Sequence, residues 1–386
     1  MTGLMSFLAG TFGSALLIIV LWDSFEVIIL PRRVTRRARL SRLFYRGSWR
    51  AWCVLARQIT QTKRRERYLG VYGPLSLLVL LAIWATGVII GFALLHWSLG
   101  SAVATSSGES GFGIDLYMSG TTFFTLGLGD VVPRSTPARV LTVIEAGTGF
   151  ALLAGVIGYL PVVYTAFSRR ESNISLLDAR ASSPSTAAEL LRRHARAGSL
   201  PDLTELFREW ERWSAEVLES HVSYPVLCYF RSQHDNQSWL GSLTTILDAA
   251  AFTIAGLDGV SQWQAELTFA MARHSVVDLA QILNAPPNRP PMERLSTTDF
   301  ERLTGWMEAA GATLRDRADF SRRLTELRAL YEPYVHSLAG RLLVTLPPWI
   351  RTSPSVDNWR TSAWERSTGK LPRSIFADPG EDEHVG

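Results

Sequence analysis

Two stretches of this chain, Leu4–Trp22 and Leu69–Trp97, contain no Asp, Glu, Lys or Arg, and a third, Val140–Phe167, contains only Glu145. A bilayer's hydrocarbon core is ~30 Å thick and is crossed by about 20 apolar residues in a helix. Inside lipid an apolar stretch of that length satisfies its own peptide groups when it is helical, so the pattern predicts three transmembrane helices. The composition, 47% hydrophobic and 19% charged over 386 residues, averages two unlike halves. Apolar residues dominate up to Arg170, most acids come after it, and the length suits two or three domains.

The first stretch has no Lys or Arg ahead of it and is too long for a signal-peptide core, so it is expected to stay as an anchor. Asp23 and Glu26 close it, one turn apart on one helix face, with Arg32 and Arg33 near enough to pair with both. A gating role for this charge cluster is the alternative to an interfacial salt bridge. From Arg32 to Arg67 the chain is dense in arginine against the single acid Glu66, which the positive-inside rule assigns to the cytoplasm. Phe44, Trp49, Trp52, Val54 and Leu55 alternate with those arginines at helical spacing, as in a helix lying on an anionic membrane surface. Membrane lipids are therefore expected partners, and nucleic acid is not, because the basic segment is lodged between two spans.

Trp84 and His96-Trp97 suit the aromatic belt at the far end of the second span, after which comes the Ser/Gly-rich loop Ser98–Gly113. The third span ends at Arg169-Arg170, a second basic inner flank. Three crossings predict a multi-pass protein of the cell membrane with its N-terminus outside and everything after Glu171 in the cytoplasm. Cys53 and Cys228 stand far apart with no ligand-spaced neighbours, so neither a disulfide framework nor a zinc site is indicated, and no resident metal is expected.

Between the second and third spans, Ile114–Phe124 reads as a helix of about three turns, too short to cross a bilayer and therefore re-entrant. The next residues, Thr125-Leu126-Gly127-Leu128-Gly129-Asp130, must line something polar, because non-helical backbone at membrane depth survives only against protein or water. Alternate glycines let successive peptides flip, so that several carbonyl oxygens face one axis and replace the hydration shell of a monovalent cation.

These residues resemble the T-V-G-Y-G-D filter of the potassium-channel family; Val131-Val132-Pro133 continues the likeness, as do Ser119 and Thr122 ahead of it and the order of elements over about 69–167. Leu128 stands at the family's Tyr or Phe position, as in two-pore-domain members carrying G-L-G-D, and Leu116-Tyr117-Met118 lacks the usual tryptophan pair. The resemblance implies that the carbonyls of Thr125, Leu126, Gly127 and Leu128, with the Thr125 hydroxyl, form stacked cation sites. It counts Gly129 among the filter residues and places Asp130 at the outer mouth. It further implies a homotetramer, with potassium as the conducted ion and no cofactor. Gly149 lies where members of that family commonly carry a hinge glycine, and Pro161 frees a backbone carbonyl near the inner end; close helix packing is an equal use for small residues here. With the intramembrane acid Glu145, expected to bond the hydroxyl of Thr121 or Ser119, these are the gating candidates. Phe150, Leu153 and Ile157 line a cavity or pack against the second span. No span carries arginine at every third position, so steep voltage gating is not expected.

After a Ser-rich linker, Ser172–Ser185, helical patterns occupy Thr186–Ala197, Leu203–Leu218, Ser238–Ala255, Gln262–Leu283, Asp299–Leu314 and Phe320–Thr345, so the second half is all-α. Pro286-Pro287 and Pro290-Pro291 divide it into two helical groups. Glu219-Ser220-His221, Arg231-Ser232-Gln233-His234-Asp235 and the pair His274/Asp278 are candidates for a metal or an anionic cytosolic ligand; satisfied core and helix-end histidines are the plainer use. No G-x-G-x-x-G comes after a strand, and no P-loop, nucleophile elbow or H-E-x-x-H appears, so nothing points to an enzyme.

The expected fold is thus an all-α membrane protein: three transmembrane helices, a re-entrant pore helix and filter, then an all-α cytosolic domain. Its divisions are 1–31 (anchor helix), 32–68 (basic segment), 69–168 (pore domain), 169–346 (cytosolic helices) and 347–386 (tail). The function implied is a potassium-selective or potassium-preferring channel gated through the inner helix and the cytosolic domain. A nonselective monovalent cation channel and a non-conducting membrane receptor remain open readings.

Overall fold

A computed structural model describes residues 3–30, 39–101, 103–105, 111–234, 236–288 and 293–351. Among the described residues the fold is all-α apart from one two-stranded ribbon. The chain divides into two compact units, one of residues 1–167 with 222–230, the other of 168–221 with 231–386.

In the first unit α1 (Gly3–Ile28), α3 (Thr62–Ser98) and α5 (Thr136–Ala181) are each long and apolar enough to cross a membrane. The chain is a multi-pass membrane protein. Ala9, Gly13, Leu17, Val20 and Ser24 recur at helical spacing and form the buried stripe of α1, while Phe7, Phe12, Ile18 and Trp22 are exposed. That inverted surface is stable only in lipid, where exposed apolar side chains meet acyl chains rather than water. The helices α1 and α3 approach through Gly87-Val88-Ile89-Ile90-Gly91: a Cβ on Gly91 would lie 2.6 Å from Leu17, and one on Gly13 would lie 2.8 Å from the Gly91 carbonyl. Their packing rests on small residues that let two backbones come close.

Asp23 and Glu26 are buried, and the expected partners Arg32 and Arg33 lie outside the described residues. Asp23 accepts from the Ser41 hydroxyl (2.9 Å) and from Trp84 Nε1 (2.9 Å), while Arg39 Nε reaches Glu26 at 3.1 Å. A buried carboxylate keeps its charge only with such close donors, and Arg39 can reach because it sits at the cap of α2 (Leu40–Gln58).

The helix α2 does not lay all its aromatics on a membrane surface. Trp49 is fully buried, its ring 4.7 Å from Tyr72 and 4.9 Å from Tyr229, and Trp52 stacks on Tyr68 at 4.3 Å. Leu43, Val54 and Leu55 stay exposed. Tyr229 belongs to an excursion, 222–230, by which the chain leaves the second unit, packs in the first and returns. Phe230 fills the space above Gly73 of α3, where a Cβ would meet its ring at 2.7 Å, and also faces Tyr164 and Phe167 on α5; Tyr224 faces Tyr159 on the same helix.

The short helix α4 (Phe112–Phe123) lies between α3 and α5, and the strands Val103–Thr105 (β1) and Val131–Pro133 (β2) pair antiparallel, tying the segment before α4 to the one after the Gly-rich loop. The 46-residue α5 runs unbroken through Pro161 and through most of the expected Ser172–Ser185 linker, stopping at Ala181. The serines of that stretch do not end the helix, because Ile174 and Leu177 are buried on this last part and supply the apolar stripe a helix needs.

The second unit is a helical bundle whose boundaries track capping chemistry: α6 (Ala187–Arg196), α8 (Trp239–Gly256), α9 (Gln262–Ile282) and α10 (Thr297–Ala309) each begin after a Ser or Thr whose hydroxyl accepts from a backbone N–H in the first turn. Between α6 and α8 runs the amphipathic α7 (Leu203–Ser223). The pattern Phe320–Thr345 is two helices, α11 (Arg317–Ala329) and α12 (Glu332–Leu342), because Pro333 falls in the first turn of α12 and cannot continue the preceding ladder. The helices α6, α9, α11 and α12 pack on α8, which is apolar enough to span a membrane yet is 94% buried along that window, so it is the core of this bundle. Pro290 and Pro291 and nearly all of 347–386 lie outside the described residues.

Candidate functional site

Pore-helix candidate α4 ends at Phe123, and its last carbonyls bind the N–H groups of Thr125 (3.0 Å, from Thr122) and Leu126 (2.8 Å, from Thr121). Beyond them the backbone alternates: Thr125, Gly127 and Gly129 have φ of 56°, 55° and 79°, while Leu126 and Leu128 do not enter the left-handed region. Residues that step alternately into and out of the left-handed region can turn successive peptide planes the same way, which gathers carbonyls on one side of a strand. Among the described residues the carbonyls of Thr125, Leu126, Gly127 and Leu128 accept no hydrogen bond. Gly127 and Gly129 adopt this geometry at no steric cost, whereas Thr125, β-branched, holds it at a cost of about 1–3 kcal/mol. The glycine pattern marks two of the three flips; nothing in the residue type marks Thr125.

The loop from Thr125 to Asp130 is exposed along its length, with Leu126 60% and Leu128 63% accessible in the single chain. Asp130 accepts a hydrogen bond from the Tyr117 hydroxyl of α4 at 2.8 Å and caps Val131 N–H at 3.1 Å. Tyr117 thus supplies a hydroxyl brace that Leu128 cannot. Tyr117→Phe removes that brace and is expected to lower ion flux without loss of folded protein, measured by a flux assay and size-exclusion chromatography.

On α5, Gly149 is a contact point: a Cβ there would lie 2.6 Å from the Phe123 carbonyl and 3.1 Å from its Cα. Gly149 therefore lets the inner helix touch the end of α4 backbone to backbone. Gly149→Ala must displace one of the two, at a cost of about 1–3 kcal/mol, and is expected to lower the thermal midpoint of the solubilised protein and the flux together. Pro161 lies within α5, two residues before the buried Val163 and two after Tyr159 in the cluster that holds Phe230. Phe150 and Ile157 are exposed in the single chain, as are Val140, Val143 and Ile144.

Glu145 is fully buried one turn before Gly149. Its partner is not Thr121, whose hydroxyl donates to the Met118 carbonyl at 2.9 Å, but His96 of α3, with Nε2 3.3 Å from Oε2; Ser119 stands beside the same carboxylate. In sequence His96 reads as part of an aromatic belt. An acid in the third span is the signal that a cation or donor must face it.

In the second unit the polar constellation does not converge. Among the described residues no group of His, Cys, Asp and Glu could hold a metal ion. Burial first, and the Arg170 guanidinium second, hold His221 well below the usual histidine range, so its neutral Nε2 accepts from Arg170 (3.1 Å) while Nδ1 bonds the Val217 carbonyl (2.8 Å). Arg170, expected as a flank, is buried and also pairs with Glu171 at 2.8 Å. His274 faces Asp278 at 3.4 Å from a largely exposed position, Arg231 bonds the Leu342 and Leu343 carbonyls, and Asp235 lies outside the described residues. A different polar group is buried here: Arg294 grips Asp248 with both terminal nitrogens, Tyr331 donates to the same carboxylate, and Glu332 lies 3.5 Å from Arg294 and 3.1 Å from Arg328. Asp248 is the one charge in Trp239–Gly256, and that isolation is the sequence signal for a buried partner.

Residues 78–166, all within the first unit, match a family model described as Ion channel. The matched segment takes in most of α3, all of α4, the alternating loop and the membrane part of α5. The chain is also 25% identical over 241 residues to YdjJ of Bacillus subtilis (strain 168), described as an uncharacterized membrane protein; that match covers 61% of this chain and 69% of the relative. No solved structure matches.

Proposed function

We propose that the protein is a homotetrameric channel of the cell membrane that conducts potassium passively and in preference to sodium. The observation that carries this reading is the alternation of left-handed residues at Thr125, Gly127 and Gly129 with unbonded carbonyls between them. A monovalent cation leaves water only if oxygens in comparable number and geometry replace its shell, and such rings are built from four loops. One chain supplies a quarter of that ring. The exposed backbone of 125–129 supports the same conclusion, because peptide groups at membrane depth need protein or a water-filled axis around them. Exposed Phe124, Leu126, Leu128 and Val143 give neighbouring copies an apolar surface to pack on.

The reading places 32–68 and the second unit in the cytoplasm, by the excess of arginine between α1 and α3, and assigns gating to the inner helix around Gly149 and Pro161. Purified protein in liposomes with opposed sodium and potassium gradients should carry a current reversing near the potassium equilibrium potential. A second reading, a nonselective monovalent cation channel, draws on Leu128, which brings no hydroxyl to the packing behind the filter. A reversal potential indifferent to which cation is exchanged would select it, and absence of any cation flux would favour a non-conducting receptor.

A further inference from the structure

Behind α4, away from the alternating loop, the structure gathers polar side chains where a membrane protein has least use for them. His96 of α3, Asp115 and Ser119 of α4 and Glu145 of α5 are each at most 1% exposed. Asp115 accepts from the Ser101 hydroxyl at 2.6 Å through one oxygen. Its other oxygen, the Ser119 hydroxyl, both Glu145 oxygens and both His96 nitrogens close no hydrogen bond of good geometry, although His96 Nε2 and Glu145 Oε2 are only 3.3 Å apart. Buried polar atoms left this way cost free energy, and a cluster holding so many is under-satisfied unless protons or water complete it. Of the two other helices packed on α3, α2 carries no acid, and the acids of α1 are bonded elsewhere, to Ser41, Trp84 and Arg39. The titratable groups facing one another here are therefore His96, Glu145 and Asp115.

We propose that His96 and Glu145 are positioning residues for conduction: the pair holds one proton, and that proton fixes α4 between α3 and α5. With one proton present, His96 Nε2–H donates to one Glu145 oxygen and the other oxygen accepts from Ser119, so a single carboxylate links all three helices. A second proton, bound at Glu145, discharges the carboxylate and turns one of its two acceptor oxygens into an O–H donor, so His96 N–H and the Ser119 hydroxyl compete for the one oxygen left and the link weakens. Loss of the shared proton leaves an uncompensated carboxylate in an apolar site, which is costlier still. Glu145 lies one turn from Gly149, where α5 touches the carbonyl of Phe123, and Phe123 is two residues before Thr125. A change in the link thus reaches the backbone of the alternating loop through packed helix rather than through solvent.

The inference rests on reading 125–130 as a filter, and its test separates the two. Reconstituted full-length protein is assayed for potassium flux across external pH, beside Glu145→Gln and His96→Gln, with sodium flux as the selectivity control. The expected result is a wild-type flux that falls roughly five-fold or more on acidification, in the range of ordinary coupling between sites, and a pH profile that each variant flattens while the potassium-to-sodium ratio is retained. Variants that keep the wild-type profile overturn the proposal. Infrared difference spectra of the same preparations supply a readout independent of transport: a protonated-carboxyl band that titrates in the wild type, vanishes in Glu145→Gln and shifts its midpoint in His96→Gln. If the wild type carries no cation flux, the filter reading fails, and the infrared band alone decides whether the pair holds the proton; its absence across the pH range overturns the pair as well.

Discussion

Replacing Gly127 by alanine is expected, on the proposed reading, to lower potassium flux by more than roughly a hundredfold in protein that still assembles. Gly127 has φ of 55° and open space around the position of a Cβ, so the substitution creates no clash. Its effect is conformational. An alanine resists the left-handed region by about 1–2 kcal/mol, and the residue relaxes by turning its peptide, which swings a carbonyl off the axis. In the ring of four loops proposed above that penalty would act four times on one conduction path, so even partial relaxation in each chain would remove most of the conducting population. Gly155→Ala is the matched control: its Cβ would meet Ile28 at 3.6 Å, an ordinary contact, and its flux should equal wild type. A Gly127→Ala protein that conducts like the control would remove the central argument for a carbonyl-lined path.

The second large effect is expected in the helical bundle. Asp248→Ala leaves the buried Arg294 guanidinium without its bidentate carboxylate, with only the Glu332 carboxylate at 3.5 Å, and the Tyr331 hydroxyl without its acceptor. Breaking a buried pair from one side typically costs about 3–5 kcal/mol, a large share of the roughly 5–15 kcal/mol that holds a typical domain folded. Thermal unfolding of the solubilised chain should show the transition of this unit moved down by many degrees, with hydrogen exchange rising along α8. The double substitution Asp248→Leu with Arg294→Leu should recover part of that loss, because it removes the stranded charge together with its partner. Equal midpoints for wild type and Asp248→Ala would mean that the ionic group is not part of the bundle's stability.

The spans were legible because the constraint is crude: some twenty uncharged residues have few other uses. The helix starts in the bundle were legible for a finer reason, since Thr186, Ser238, Ser261 and Ser296 each precede an apolar period and each accepts from the turn it opens. What sequence could not supply was partnership at a distance. Asp23 and Glu26 pointed to charged partners close in sequence, and among the described residues their donors include Arg39, Ser41 and Trp84, the last on another helix. Glu145 announced a buried partner without saying that it was His96. The serines of 172–185 suggested a linker because serine favours loops on average, but Ile174 and Leu177 anchor that segment as helix, and packing outweighs propensity. In the alternating loop the two glycines stated their backbone role openly, while Thr125 shows no sign of its own in residue type.

Residues 222–230 carry a consequence of their own. Tyr224, Tyr229 and Phe230 sit among aromatic side chains of α2, α3 and α5, although the chain reaches them only after the first part of the helical bundle and returns to the bundle at Arg231. No single cut therefore yields both units whole. A chain ended after Phe167 would keep every membrane helix yet lack the rings that cover Trp49, Tyr72 and Gly73, and would present an unfilled hollow in their place. The membrane unit borrows its last aromatic layer from a stretch made some fifty residues later, so its packing is finished only once all of α7 has been synthesised.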